Sequence, residues 1–316
     1  MESGSSMNVV RVDISQQPPA VALADVARPQ PGSGELLIRV CAAGLTMTEL
    51  SWCPTLHTKT GAVREGAIPG HEFSGVIEAL GIEGDDHTGL FQVGSQVYGM
   101  NDWYSDGAMA EYCVAPMGDV AAKPRNLSHE EAASVPIAAL TAWQALFDHA
   151  GLKPGEWVLV HGGAGSVGGF AIQLARLRGA RVATTVSRKN IEYVRALGAE
   201  RVIDYHASRF EESAKDMDVV FDTVGGETLK RSWNVLKANG RIVTVASEAS
   251  ADDPRAQKAF FIVEPLQKQL VEIGGMLEAG KLRTTVDTVV PLSQAPAAYA
   301  GKVPRQGRGK LVVRMK

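Results

Sequence analysis

The segment that most constrains this chain runs from residue 157 to residue 179. Five largely apolar residues, Trp157-Val158-Leu159-Val160-His161, lead into Gly162-Gly163-Ala164-Gly165-Ser166-Val167-Gly168, and an apolar-periodic stretch over 170–178 then stops at Gly179. A short apolar run fits a buried strand, and a glycine just past a periodic segment fits a helix stop. The spacing therefore predicts strand, glycine turn and helix in succession. The G-x-G-x-x-G pattern at Gly163, Gly165 and Gly168 says little by itself. Between a strand and a helix each glycine acquires a distinct role. The first allows a tight turn, the second lets the backbone approach a pyrophosphate, and the third lets helix and strand pack closely. The helix N-terminus then faces the phosphate charge. Gly163, Ala164, Gly165, Ser166, Val167 and Gly168 are the resulting candidate cofactor contacts.

The same alternation continues downstream, with strands predicted over 181–186, 201–203, 218–222 and 241–245 and a helix over 189–197 stopped by Gly198. Repeated strand–helix units imply a doubly wound parallel sheet. The first third reads differently. Strands over 35–40 and 73–78 lie among Gly and Pro punctuation, a β-rich pattern that ends near Lys123-Pro124, where Ser128 followed by Glu131 forms a helix capping-box signature. A boundary near residue 124 follows, and 316 residues accommodate two domains of roughly 150 each. The tail predicts a strand over 260–263, a helix over 264–279 and a final strand over 310–314.

Composition narrows the function classes. Apolar residues make up 45% and charged residues 21%, which excludes a natively unfolded chain. The 33 glycines exceed an average share of roughly 7% without any collagen-like period, a sign of many turns. Lys and Arg (32) against Asp and Glu (35) give a net charge of −3 with no long run of one sign, so no nucleic-acid partner is expected. The least polar stretch, 132–147, is too short and too interrupted to span a membrane. Met1-Glu2-Ser3-Gly4-Ser5-Ser6 carries no basic, apolar leader, Met7 is read as the natural start, and the expected compartment is the cytoplasm. Cys41, Cys53 and Cys113 are too few and too widely spaced for a disulfide framework or a metal knuckle, and are read as reduced and structural.

The nicotinamide cofactor's type is read at the end of the strand after the glycine turn, where NAD-specific sites place a carboxylate on the ribose. Ser187, Arg188 and Lys189 stand there instead. A hydroxyl and two cations suit a 2′-phosphate, so NADPH is expected rather than NADH.

Together with these features, several motifs resemble the medium-chain dehydrogenase/reductase superfamily, and within it the zinc-independent quinone oxidoreductase, zeta-crystallin-like branch. They are Ala42-Ala43-Gly44, Pro69-Gly70-His71-Glu72-Phe73-Ser74-Gly75-Val76, Asp106-Gly107-Ala108-Met109-Ala110-Glu111-Tyr112, Leu140-Thr141-Ala142-Trp143, Leu197-Gly198-Ala199, Phe221-Asp222-Thr223-Val224-Gly225-Gly226 and Arg308-Gly309-Lys310. The resemblance covers nearly the whole chain. It implies an α/β fold in which a Rossmann domain (124–263) packs against a discontinuous GroES-like catalytic domain (1–123, returning over 264–316), with the cofactor between them. It also implies that Thr46 and Thr141 lie near the nicotinamide, Tyr205 near the adenine ribose phosphate and Phe261 near the carboxamide. Arg308 joins the cofactor set, and a homodimer forms through the 260–263 strand.

Zinc alcohol dehydrogenases of this superfamily hold the metal with a Cys, the His of G-H-E and a second Cys. Aligned through the same motifs, the cysteine positions fall on Thr46 and about Ile137, neither of which supplies a thiolate, and the four-cysteine lobe is missing; no metal is expected. Without a Lewis acid, delivery of hydride to a polarised acceptor is the expected direction. The expected activity is NADPH-dependent reduction of a quinone or of the C=C bond of an α,β-unsaturated carbonyl, with Tyr104 as candidate proton donor beside Thr46 and Thr141. The irregular stretch 50–68, Trp103 and Phe260 would shape the substrate side. Two alternatives stay open: a trans-acting enoyl reductase of specialised metabolism, and a non-enzymatic NADPH-binding regulatory or structural protein.

Overall fold

A computed structural model describes residues 6–81, 91–246 and 253–315. Its strands are β1 (Ser6–Asp13), β2 (Ala20–Ala27), β3 (Glu35–Leu45), β4 (Glu72–Leu80), β5 (Gln96–Met100), β6 (Tyr112–Pro116), β7 (Val120–Ala122), β8 (Trp157–His161), β9 (Arg181–Val186), β10 (Arg201–Asp204), β11 (Met217–Asp222), β12 (Leu236–Thr244), β13 (Val286–Pro291) and β14 (Lys310–Arg314). They form a β1–β2 hairpin, a five-stranded sheet ordered β10-β9-β8-β11-β12 and a seven-stranded sheet ordered β13-β14-β3-β4-β5-β7 with β6 also on β3. Every pairing in the five-stranded sheet is parallel. The seven-stranded sheet is antiparallel apart from β13–β14. The fold is thus α/β, a Rossmann-type parallel sheet beside a GroES-like β-rich domain.

The glycine-turn helix, Ser166–Leu177, starts four residues before the predicted 170. Two glycines in its first turn, Gly168 and Gly169, weaken helix propensity, yet a Cβ on Gly168 would overlap the Gly162 carbonyl, so close packing on β8 decides the matter. The predicted helix over 189–197 divides into a 3-10 turn, Arg188–Asn190, and an α-helix, Ile191–Leu197, closed by Gly198 in the left-handed region at φ 112°. Ser128 and Glu131 make the reciprocal bonds of a capping box.

Three expectations need correction. The run 260–263 is no strand: Phe260 makes one isolated bridge to Thr244, and side chains take the backbone groups that a ladder would use. Trp103 Nε1 donates to the Val263 carbonyl, and Gln144 bonds both the N–H and the carbonyl of Glu264. The helix predicted from 264 is Gln267–Glu278, because the residue before Pro265 is kept out of helical geometry. β12 begins at Leu236, five residues before the predicted 241, with a register shift against β11 between Met217 and Val219.

Helix Pro136–Trp143 is buried on every side, which is why its sequence is apolar all round. It packs against β4 and β5 on one side and against Ser166–Leu177 and Gln267–Glu278 on the other. A π-helical turn, Gln144–His149, continues it. Gln267–Glu278 contributes Leu270, Ile273 and Leu277 to the same core as Phe170 and Ile172, and Val286–Pro291 is the first later element to pair in the seven-stranded sheet.

Candidate active site

The glycine turn is held from within. Gly162 takes φ 75°, and its N–H and that of Gly163 are bound by Thr185. A Cβ on Gly163 would overlap the Thr184 hydroxyl, so packing alone explains glycine there and at Gly168. Gly165 is different. It has ordinary extended geometry (φ −68°, ψ 170°) and its Cβ would meet only the Gly162 oxygen, at 3.3 Å, a crowding that a small shift relieves. Neither backbone geometry nor packing requires glycine at 165, the N-cap of the helix and the position where the G-x-G-x-x-G pattern expects a pyrophosphate to approach.

The loop after this helix's neighbouring strand carries the basic cluster. Ser187 is half-buried and Arg188 and Lys189 are exposed at the carboxyl end of β9; among the described residues neither cation has a carboxylate partner. Arg308 reaches the same place from the far end of the chain, donating to Asn190 Oδ1 (2.9 Å) and to the Lys189 carbonyl (3.0 Å). Tyr205, at the end of β10, is 56% exposed with its ring against His206. The structure therefore brings Ser187, Arg188, Lys189 and Arg308 together, with Tyr205 on the adjacent strand end. Next to Arg308, Gly309 N–H donates to the Ala164 carbonyl, and Gly309 bridges Gly165, so the GroES-like tail is stitched directly onto the glycine turn.

One residue on, Lys310 opens β14 opposite the end of β3. Its Nζ donates to Thr46 Oγ1 at 2.9 Å and forms an ion pair with Glu72. Both are deeply buried, Lys310 at 6% exposure and Glu72 at 0%. Glu72 also accepts from Ile137 N at 3.0 Å. Gly44, paired with Glu72 across β3 and β4, leaves room for that carboxylate, since a Cβ there would lie 2.5 Å from Glu72 Oε1. Thr141 is buried in the same helix as Ile137 and donates to the Ile137 carbonyl at 2.5 Å.

His71 is buried with Nδ1 unpartnered, beside Trp103 at 5.2 Å between ring centroids, and Trp103 meets Trp52 edge-on at 5.2 Å. Burial first, then the nearby Arg64 charge, pushes its pKa down to about 4, so it is neutral near pH 7. Among the described residues no three His, Cys, Asp or Glu side chains are grouped to hold a metal ion. Close by, Glu49 is buried, accepts from Gly70 N and from Tyr299 Oη, and is raised by burial to about 7.

The Phe261 ring is turned into the core against His149 at 4.4 Å, and its N–H is spent on Thr244, so no side-chain contact to a cofactor follows from its position. Tyr104 lies under the Lys59 ammonium in a loop, 5.4 Å from ring centroid to Nζ. The stretch expected to be irregular is built instead of a 3-10 turn (Met47–Ser51), one helical turn (Cys53–Leu56) and a His57–Val63 bridge, clamped by Arg64 on the Pro54 carbonyl and Asp106. Sequence reasoning gave no site role to Glu49, to Gln144 or to Lys310, which entered only as part of the Arg308-Gly309-Lys310 motif; the 3-10 turn Met47–Ser51, the π-helical turn and the register of β14 on β3 place them.

Comparison with known proteins agrees with this architecture. Residues 32–125 match the family described as "Alcohol dehydrogenase GroES-like domain", and residues 197–313 match "Zinc-binding dehydrogenase". A protein of Arthroderma benhamiae named "Probable zinc-binding oxidoreductase, mitochondrial" is 31% identical, covering 100% of both chains. The 2-methylene-furan-3-one reductase of Solanum lycopersicum is 31% identical over 99% of this chain and 79% of its own length. Among solved structures, the quinone oxidoreductase from Coxiella burnetii superposes with a TM-score of 0.86 at 31% identity, covering 99% of this chain and 100% of that one. No helix among the described residues is long and apolar enough to cross a membrane.

Proposed function

The chain belongs to the medium-chain dehydrogenase/reductase superfamily, and from that premise we propose that it is an NADPH-dependent reductase of quinones or of the C=C bond of α,β-unsaturated carbonyls, working without zinc. The observation that carries this reading is the Lys310–Thr46–Glu72 cluster beside the glycine turn. Where a zinc dehydrogenase needs thiolates, this chain has a hydroxyl bound to an ammonium, a carboxylate paired to the same ammonium, and the backbone N–H of Ile137 turned toward that carboxylate. A fixed cation at that place repels a metal ion, and the donor set lacks the soft ligands zinc prefers.

The glycine turn and the start of Ser166–Leu177 would hold the pyrophosphate. Ser187, Arg188, Lys189 and Arg308 would hold a 2′-phosphate, with the Tyr205 ring beside them. When bound, the reduced nicotinamide supplies a hydride, two electrons and one proton. The protein's share is to orient the acceptor, to exclude water with the Trp52–Trp103–His71 wall, and to donate a hydrogen bond to the oxygen that becomes negative. A proton from solvent then completes the saturated carbonyl or the hydroquinone. A homodimer belongs to the same reading, though 260–263 forms no strand to pair through, and light scattering should report twice the chain mass.

The test is NADPH oxidation against a panel of quinones, short enones and enoyl thioesters, with NADP⁺ plus alcohols as the reverse control and metal content measured on the same sample. Turnover of quinones or enones by protein with less than a tenth of a zinc per chain is expected. Turnover confined to alcohols, or stoichiometric zinc, would overturn the proposal, and turnover confined to carrier-type thioesters would move the substrate class to enoyl reduction.

A further inference from the structure

Three neighbouring strands deliver three residues to one point. β14 pairs with β3 so that Leu311 faces Leu45, which sets Lys310 across from Thr46, and β3 pairs with β4 so that Gly44 faces Glu72. An ammonium buried this deeply is costly unless paired and hydrogen-bonded. Glu72 offsets its charge, and Thr46 takes a second of its three protons. The consequence lies in Thr46. Because its oxygen accepts from Lys310, its own O–H cannot point at Lys310 and is left to donate elsewhere. A hydroxyl that accepts from a cation is also a stronger donor, since hydrogen bonds in a chain polarise one another.

We propose that Lys310 is a positioning residue: it locks the Thr46 hydroxyl as a polarised donor to the acceptor's carbonyl oxygen and supplies, through that hydroxyl, the positive charge that stabilises the enolate or phenolate oxygen. This rests on the reductase reading above. In the step itself the acceptor gains a hydride, its C=C or quinoid electrons shift onto oxygen, Thr46 shares its proton with that oxygen without losing it, and solvent provides the proton that ends the reaction. Lys310 keeps all its protons throughout. Gly309, one residue away, is bonded to the glycine turn, so the same strand end ties the cofactor cradle to the donor.

The experiment compares kcat and KM for wild type, Lys310→Met, Lys310→Arg, Thr46→Val and the double variant Thr46→Val/Lys310→Met, using a quinone or enone that the wild type reduces, with NADPH binding followed by fluorescence. Loss of one oxyanion donor costs on the order of a hundredfold in kcat. Lys310→Met should therefore lower kcat about 30- to 100-fold, change NADPH affinity less than threefold, and add nothing to Thr46→Val in the double variant. Lys310→Arg should recover at least tenfold over Lys310→Met. Losses that multiply in the double variant, a kcat for Lys310→Met within twofold of wild type, or a loss expressed only as weaker NADPH binding would each overturn the inference while leaving the reductase reading in place. Should Lys310→Met not fold, Lys310→Gln serves, since it keeps a donor for Thr46 and Glu72 but loses the charge, with kcat expected to fall at least fivefold and an unchanged kcat overturning the inference. If wild type turns over no quinone or enone, the reductase reading fails and this inference falls with it.

Discussion

On the side proposed here for the nucleotide, Arg188 and Lys189 stand exposed with no carboxylate partner among the described residues, whereas Lys310 and Glu72 are buried and already paired. The first arrangement suits a ligand that brings its own charge, since exposed cations stay hydrated at little cost until a phosphate arrives. The second suits a reaction in which charge appears only transiently, because a fixed, preorganised dipole need not rearrange when it does. The two sides of this molecule thus differ in when their counter-charge comes: with the ligand on one side, with the fold on the other.

The comparison is broken most severely on the cofactor side by adding a methyl group. Gly168→Ala would drive a Cβ into the Gly162 carbonyl, a backbone atom that cannot swing aside, and should destabilise the protein by about 3 kcal/mol, the upper end for overpacking. Gly165→Ala, whose Cβ meets one atom at 3.3 Å, should leave stability within ~1 kcal/mol and instead weaken NADPH binding at least tenfold. Urea unfolding and fluorescence titration of both variants check the pair, and equal stability losses would mean that Gly165 is also a packing glycine.

On the reaction side the burial of charge predicts a pH dependence. Glu49 is raised from an ordinary 4.5 to about 7, chiefly by burial, against the opposing hydrogen bonds of Tyr299 and Gly70 N and the Lys310 charge. A carboxyl whose folded pKa exceeds its unfolded one binds more protons folded, so its stabilising contribution is full below about 4.5 and is lost as pH rises through about 7. The stability difference between wild type and Glu49→Gln should therefore shrink by roughly 3 kcal/mol across that window, at about 1.4 kcal/mol per unit. A difference that stays flat from pH 4.5 to 7.5 would show Glu49 to be ionised in the fold.

The intermediate effect belongs to the exposed cations. Arg188→Ala should weaken NADPH about 10- to 100-fold, the size of a charge-assisted hydrogen bond, and NADH by less than threefold. Equal weakening of both would remove the 2′-phosphate from its role.

What could be read in advance follows the same division. The glycine turn is written in consecutive residues, 157–168, whose conformational demands are local, so the succession of strand β8, turn and helix was legible, although the left-handed bend falls on Gly162 rather than on Gly163, which packs against Thr184, a contact 21 residues away that no local pattern shows. The Lys310–Thr46 contact joins residues 264 apart and exists only through the registers of β14, β3 and β4, which no local pattern encodes. The 260–263 segment misled for a related reason. Its burial alternates as a strand's does, but Trp103 and Gln144, distant in sequence, take the hydrogen bonds that a neighbouring strand would have made.

Tyr104 gives the smallest effect and the sharpest use of the comparison. A proton donor on the reaction side should resemble Lys310 and Thr46, buried and held by neighbours before the substrate arrives. Tyr104 is instead partly exposed in a loop, its ring covered by the Lys59 ammonium and its backbone N–H capped by Asp102. Among the described residues no hydrogen bond fixes the direction of its hydroxyl. Tyr104→Phe should therefore leave kcat within twofold, and its solvent isotope effect unchanged, on any substrate for which Thr46→Val is strongly impaired. A tenfold loss in kcat would move Tyr104 into the reacting site, and the Trp103–Tyr104 loop would then have to close over the substrate to bring it there.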